Sequence, residues 1–175
     1  MKDRVVAFLY ILLLYVSLPF VPGIWRRFAQ AAGGLAGYFG YIVLLAFGII
    51  IILFLIIKQK SRQSFFWLAI LGVIYYTNMR NLEFPIEKLH FIEYSLLSVL
   101  LFRALSHNLK GRILYLWTAL ISFCLGWLDE GIQYILPNRV YEIKDVAANI
   151  VASILGLLLI GCVLNPKAQE KPCPK

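Results

Sequence analysis

Long apolar runs separated by short charged clusters organise this chain. The runs fall at about 5–22, 33–57, 64–79, 88–106, 112–129 and 145–164, and each approaches the roughly 20 residues an α-helix needs to cross a bilayer. The pattern predicts an all-α, polytopic membrane protein: a bundle of about six transmembrane helices over residues 1–165, then a short polar cytoplasmic tail at 166–175. The first run, Val5 to Phe20, follows Lys2 and Arg4 as the core of a signal peptide would. It lacks a small-x-small cleavage site and runs into Pro19, Pro22 and Trp25, so it reads as a retained first helix.

Orientation follows from the Lys and Arg residues between the spans. With the N-terminus cytoplasmic, that side receives Lys2, Arg4, Lys58, Lys60, Arg62, Arg103, Lys110, Arg112, Lys167, Lys171 and Lys175. The far side receives Arg26, Arg27, Arg80, Lys88, Arg139 and Lys144, and eleven against six predicts both termini inside a multi-pass cell-membrane protein. The acids distribute the other way. Asp3 and Glu170 fall inside, whereas Glu83, Glu87, Glu93, Asp129, Glu130, Glu142 and Asp145 fall on or near the outside.

Composition strengthens the membrane reading. The chain is 61% hydrophobic with a mean hydropathy of +0.79, above the roughly 45–50% apolar content of soluble domains. The net charge of +8 does not indicate nucleic acid as a partner, because the basic residues stand singly or in threes at span ends, next to lipid headgroups. Three scattered cysteines, Cys124, Cys162 and Cys173, suggest neither a disulfide framework nor a metal site, and no cofactor is expected. In the second span, the spacings Ala29/Gly33/Gly37 and Ala32/Ala36/Gly40 predict two small-residue stripes for close helix approach. Trp25, Trp67, Tyr75, Tyr76, Tyr115, Trp117 and Trp127 suit aromatic belts at span ends.

Two stretches could carry chemistry. Glu87-Lys88-Leu89-His90-Phe91-Ile92-Glu93-Tyr94 opens the fourth span after Pro85, and helical spacing puts His90, Glu93 and Tyr94 on one face. The second stretch holds Asp129, Glu130 and Gln133, then Pro137-Asn138-Arg139, then Asp145 and Asn149 on one stripe with Ala152 and Gly156. Ionisable groups inside a span cost about 2.5–3.5 kcal/mol on insertion scales, so they face the interior and pair. Arg139 is the natural partner for Glu130 or Asp145, with Gln133 and Asn149 filling the remaining lone pairs. His90 or Glu130 could then serve as acid or base, with Lys88, Glu93, Gln133, Arg139, Asp145 and Asn149 as binding groups. The same network could equally lock helices together. Either way, the fourth, fifth and sixth spans are predicted to meet at their outer ends.

From Glu87 to Gly156 the order of these residues resembles the VanZ-like membrane proteins. Lys88, His90, Phe91 and Tyr94 follow a Lys-x-x-His-Phe-x-x-Tyr motif with one fewer residue between Lys and His, Glu130-x-x-Gln133 matches a second, and Pro137-x-Arg139, Asp145 and Asn149 the rest. Glu87 stands where an Asp is usual before the Lys, and Ala152 where a Gly is usual after the Asn. The family's namesake is associated with low-level resistance to teicoplanin-type glycopeptides. The resemblance therefore implies a factor that binds or acts on a lipid-linked envelope component, and it does not decide whether the protein is an enzyme. The competing expectation is a non-catalytic accessory subunit of a larger membrane protein complex.

Overall fold

The computed structural model describes residues 1–82, 84–136 and 143–164, and the described residues are helical throughout, with no strand. The α-helices are α1 (Lys2–Ser17), α2 (Val21–Ala32), α3 (Phe39–Ile57), α4 (Arg62–Arg80), α5 (Pro85–Leu105), α6 (Gly111–Ile135) and α7 (Ile143–Leu158). A 3-10 turn, Gly33–Tyr38, joins α2 to α3, and a π-helical stretch, Leu159–Leu164, prolongs α7. With α2 through α3 taken as one rod, the described residues form six helical bodies.

Three of these bodies are long and apolar enough to cross a membrane: Val21–Ile57, Gly111–Ile135 and Ile143–Leu164. The protein is accordingly a membrane protein. The remaining helices depart from that pattern for physical reasons. Helix α1 has only 16 residues. Helix α5 carries Glu87, Lys88, Glu93 and Arg103, yet it is the central helix, packed against α7, α1, α6 and α3. A helix surrounded by protein meets no lipid on most of its faces and so tolerates polar groups that a peripheral helix cannot. The outer surface of α3 shows the converse, with Ile42, Leu45, Ile49, Ile50, Leu53, Ile56 and Ile57 all exposed.

The core runs along α5. Tyr94, Leu97, Met79, Leu55, Ala152 and Val163 are almost completely buried, and Tyr75 meets Phe91 edge to face at 5.8 Å. Tyr75 is thus a core residue and not part of an aromatic belt. Helices α5 and α7 approach closely because their contact residues are small. The Ser95 hydroxyl donates to the Ala152 carbonyl at 2.9 Å, and a Cβ on Gly156 would overlap Ser98 Oγ and the Ser95 carbonyl.

The small-residue stripes expected in the second span do not form on one continuous helix. Gly33 adopts φ +56°, a left-handed conformation suited to glycine, and there the α-helix gives way to the 3-10 stretch Gly33–Tyr38 within the rod. Ala36 and Gly40 pack inward, and a Cβ on Gly40 would lie 2.7 Å from Lys88 Cβ. Gly33, Gly34 and Gly37 face open space. The segment expected to complete the first span is instead a turn leading into α2, a helix with no buried residue that carries Arg26 and Arg27.

At the N-terminal end of the bundle, Asp3 of α1 meets Arg103 at 3.2 Å and His107 at 2.9 Å, and Arg4 donates to Asn108. The His107 hydrogen bond, helped by the Arg103 charge, holds the Asp3 carboxyl below the usual carboxylate range. Lys60 donates to the Leu164 carbonyl at 2.9 Å and ties the start of α4 to the end of the π stretch.

Candidate functional site

The polar side chains gather at the opposite end, where α5 and α7 begin and α6 ends. Pro85 occupies the first turn of α5, where its missing N–H costs nothing. The Glu87 carboxylate accepts a 3.3 Å hydrogen bond from the Phe84 N–H. Nearly one turn on, His90 Nδ1 lies 3.0 Å from Glu93 Oε2. The ring is mostly buried, at 17% side-chain exposure, against 43% for Glu93. A carboxylate on Nδ1 fixes both the orientation and the tautomer of the imidazole.

Helix α6 continues to Ile135, beyond the predicted end of its span at residue 129. Asp129 and Glu130 therefore lie inside the helix, at 0% and 2% exposure. Neighbouring helical positions differ by about 100° in direction, so the two carboxylates face different surroundings. Glu130 Oε1 accepts a 3.2 Å hydrogen bond from Gln133 Nε2, one turn along. Asp129 points toward α1 and α5, within electrostatic reach of His90, Glu93, Tyr15 and Tyr94. Tyr94 and Gln133 are its polar neighbours, yet neither carboxylate oxygen of Asp129 receives a hydrogen bond of normal geometry among the described residues.

Three tyrosines fasten this region. Tyr15 donates to the Leu125 carbonyl at 2.9 Å, Tyr94 reaches the same oxygen at 3.4 Å, and Tyr10 donates to the Glu93 carbonyl at 3.1 Å. From α7, the buried Asn149 lies against Gly126 and Tyr94. Asp145 is half-buried in the first turn of α7, where the helix dipole favours an acid.

The structure thus brings together His90, Glu93, Glu130, Gln133 and Asn149, on three helices that pack against one another as predicted. It adds Asp129, Tyr10 and Tyr15, which sequence reasoning did not assign to the site. The signal for Asp129 was its place beside Glu130 before a further helical turn; α1 offered none, because tyrosines in an apolar run look like belt residues. Lys88 stands apart from the cluster. Its ammonium lies 4.8 Å over the Tyr41 ring, beside α3 and on the opposite side of α5 from His90. Arg139, with Pro137, Asn138 and Glu142, lies outside the described residues.

Among the described residues no three His, Cys, Asp or Glu side chains converge as metal ligands. The arrangement is rich in acceptors: carboxylates, an imidazole held by one of them, amides and tyrosine hydroxyls. Such a set suits a ligand bearing several donors, such as hydroxyl, amide or ammonium groups, and it includes acids and a histidine able to exchange protons. Comparison with known protein families, curated proteins and solved structures finds no match for this chain.

Proposed function

We propose that this is a six-span, VanZ-like protein of the cell membrane with both termini in the cytoplasm. Its polar cluster opens toward the outer face and binds, or acts on, the headgroup of a lipid-linked envelope component. The carrying observation is the buried Asp129 carboxylate, within electrostatic reach of the His90–Glu93 pair across the α5–α6 contact, with a second carboxylate, Glu130, buried beside it in sequence. A carboxylate with no hydrogen bond in a protein interior is expensive. Groups kept at that cost in a membrane protein are by default functional. The resemblance over Glu87–Gly156 supports the envelope assignment. With Lys88 turned toward Tyr41, the described cluster is acceptor-rich, and the donor-bearing part of the headgroup is what it would hold; Arg139 would hold the anionic part.

The test is expression in a glycopeptide-sensitive Gram-positive host, comparing wild type with Glu130→Gln, His90→Ala and Arg139→Lys at matched membrane levels. Raised teicoplanin tolerance that disappears in the variants supports a working site. Tolerance retained by all three would make the cluster a lock between helices.

A second reading has its own observation. Gly33, Gly34 and Gly37 have nothing within 4 Å of where a Cβ would be, and small residues of this kind are a common seam for helix association in membranes. This favours a non-catalytic accessory subunit that docks on a larger membrane assembly. A wild type without effect on teicoplanin tolerance, joined to a stable complex that Gly34→Leu disperses, would support it over the first.

A further inference from the structure

We infer that the groove between α3, α4 and α5 is a binding seat for a membrane lipid with a phosphate-bearing headgroup, which is held by Arg80 and Lys88. The site lies apart from the polar cluster. Ile92, Ser95, Leu96 and Val99 of α5 line the groove, whereas His90 and Tyr94 project from the opposite side of the same helix.

The groove encloses about 970 Å³, near the upper end of the roughly 300–1,000 Å³ typical of ligand sites. Its lining runs from Tyr38, at the end of the 3-10 stretch, along α3 to Ile52. At 1.5 Å per residue this is roughly 20 Å of helix, more than half of a hydrocarbon core of about 30 Å. An acyl chain fits that length. Gly48 and Gly72 keep the trough wide, since nothing lies within 4 Å of a Cβ at either position.

The polarity of the groove is that of an amphiphile. Most of its wall is aliphatic or aromatic, but at the end where α4 stops and α5 starts it is closed by Tyr38, Tyr41, Tyr76 and Arg80. Tyr41 and Tyr76 pack at 5.7 Å, and the Lys88 ammonium lies 4.8 Å from the centre of the Tyr41 ring. Arg80 lines the groove at this end and Lys88 reaches it through the Tyr41 ring; neither forms an ion pair among the described residues, and Glu87, next to Lys88 in sequence, is turned back onto the Phe84 N–H. Two cations and several tyrosines at one end of an apolar trough complement an anionic headgroup with a chain attached. A packing helix from a second copy would fill the trough but would leave both cations unanswered.

The test uses delipidated full-length protein in detergent and native mass spectrometry, titrating phosphatidylglycerol against phosphatidylcholine of the same chains. The wild type is expected to bind one phosphatidylglycerol in preference, and Arg80→Gln and Lys88→Gln each to reduce the preference by about fivefold, the contribution of one basic side chain near the headgroups. Gly72→Leu, which projects into open space, is expected to weaken both lipids together while leaving the melting temperature unchanged. A phosphatidylglycerol preference that survives both charge substitutions overturns the proposal. So does a wild type that is dimeric and becomes monomeric on Gly72→Leu, because the groove would then be an interface between copies. None of these readouts depends on the polar cluster or on glycopeptide tolerance.

Discussion

Asn149 of α7 lies directly over Gly126 of α6, so close that a Cβ on the glycine would come within 3.2 Å of Asn149 Cβ and 3.4 Å of Tyr94 Cε1. The absence of one side chain therefore lets an amide from α7, a phenol from α5 and the carboxylate-bearing stretch of α6 occupy the same layer. Packing and chemistry share their determinants here.

That relationship predicts a graded glycine series. Gly156→Ala would push a methyl group into Ser98 Oγ and the backbone carbonyl of Ser95, and overpacking of this kind costs about 1–3 kcal/mol. Adding Ser98→Ala should recover only part of the loss, because the carbonyl remains. Gly126→Ala should cost less, since its neighbours need give by only a few tenths of an ångström. Gly48→Ala and Gly72→Ala, in open space, should be neutral or stabilise by up to about 1 kcal/mol through helix propensity. Melting curves in detergent would rank the four. A Gly156→Ala protein as stable as wild type would contradict the close α5–α7 contact.

What the sequence made legible was whatever repeats along a helix. The apolar runs located the helical bodies, and spacings of three put His90 with Glu93, and Glu130 with Gln133, on one helix face, where the structure shows each pair in contact. What depends on neighbours distant in sequence was hidden. Asp129-Glu130-Gly131 reads as a span end, and only the packing of α6 against α5 and α7 explains a helix that continues to Ile135 with two carboxylates buried inside it. The fourth run reads as one span among six, and nothing in it says that α5 is the bundle's central helix. Lys88 shares a motif with His90, but helical rotation sends the two side chains to opposite faces, and no spacing rule says which face meets α3.

The contact between Asp3, Arg103 and His107 predicts acid sensitivity at the N-terminal end. The folded-state pKa of Asp3 lies below its ordinary value of 3.8. The contact is therefore at full strength above that ordinary value and is lost as pH falls through the lowered one. Amide exchange at residues 4–7, measured by mass spectrometry, should be slow at neutral pH and rise only below about pH 4. Asp3→Asn should exchange faster at neutral pH and show no such acid-side rise. Because the pair is exposed, high salt should weaken the difference. Equal protection of wild type and Asp3→Asn at neutral pH would show that the contact does not anchor α1.

Topology supplies an independent check on the outer-face reading. In a variant with Cys124, Cys162 and Cys173 replaced, a cysteine introduced at Lys60 or Lys110 should resist a membrane-impermeant thiol reagent in intact cells. One introduced at Asn138 should react. The basis is the excess of Lys and Arg in the loops assigned to the cytoplasm. Reversed labelling would put the cluster of His90, Asp129 and Glu130 on the cytoplasmic side and remove the outer-leaflet headgroup as its ligand.

The two buried carboxylates of α6 should respond oppositely to the loss of what they have. Glu130 has an amide donor in Gln133. Gln133→Ala removes that donor from a buried acceptor and should destabilise by about 1–3 kcal/mol. Asp129 is fully buried with neither oxygen hydrogen-bonded among the described residues, so Asp129→Asn replaces a costly acid with a neutral group of the same shape. It should raise the stability of the folded protein by about 1 kcal/mol or more. A residue that lowers stability is worth keeping only if it does something else, and stability traded for activity is common at working sites. Asp129→Asn is therefore expected to melt higher than wild type while giving less teicoplanin tolerance at equal membrane levels. The two measurements together discriminate more sharply than either alone. A higher melting temperature with unchanged tolerance would mark Asp129 as an unused strain in the bundle. A melting temperature lowered as far as that of Gln133→Ala would mean that the Asp129 carboxylate is well satisfied in the folded protein, and the case for it as a working group would fail.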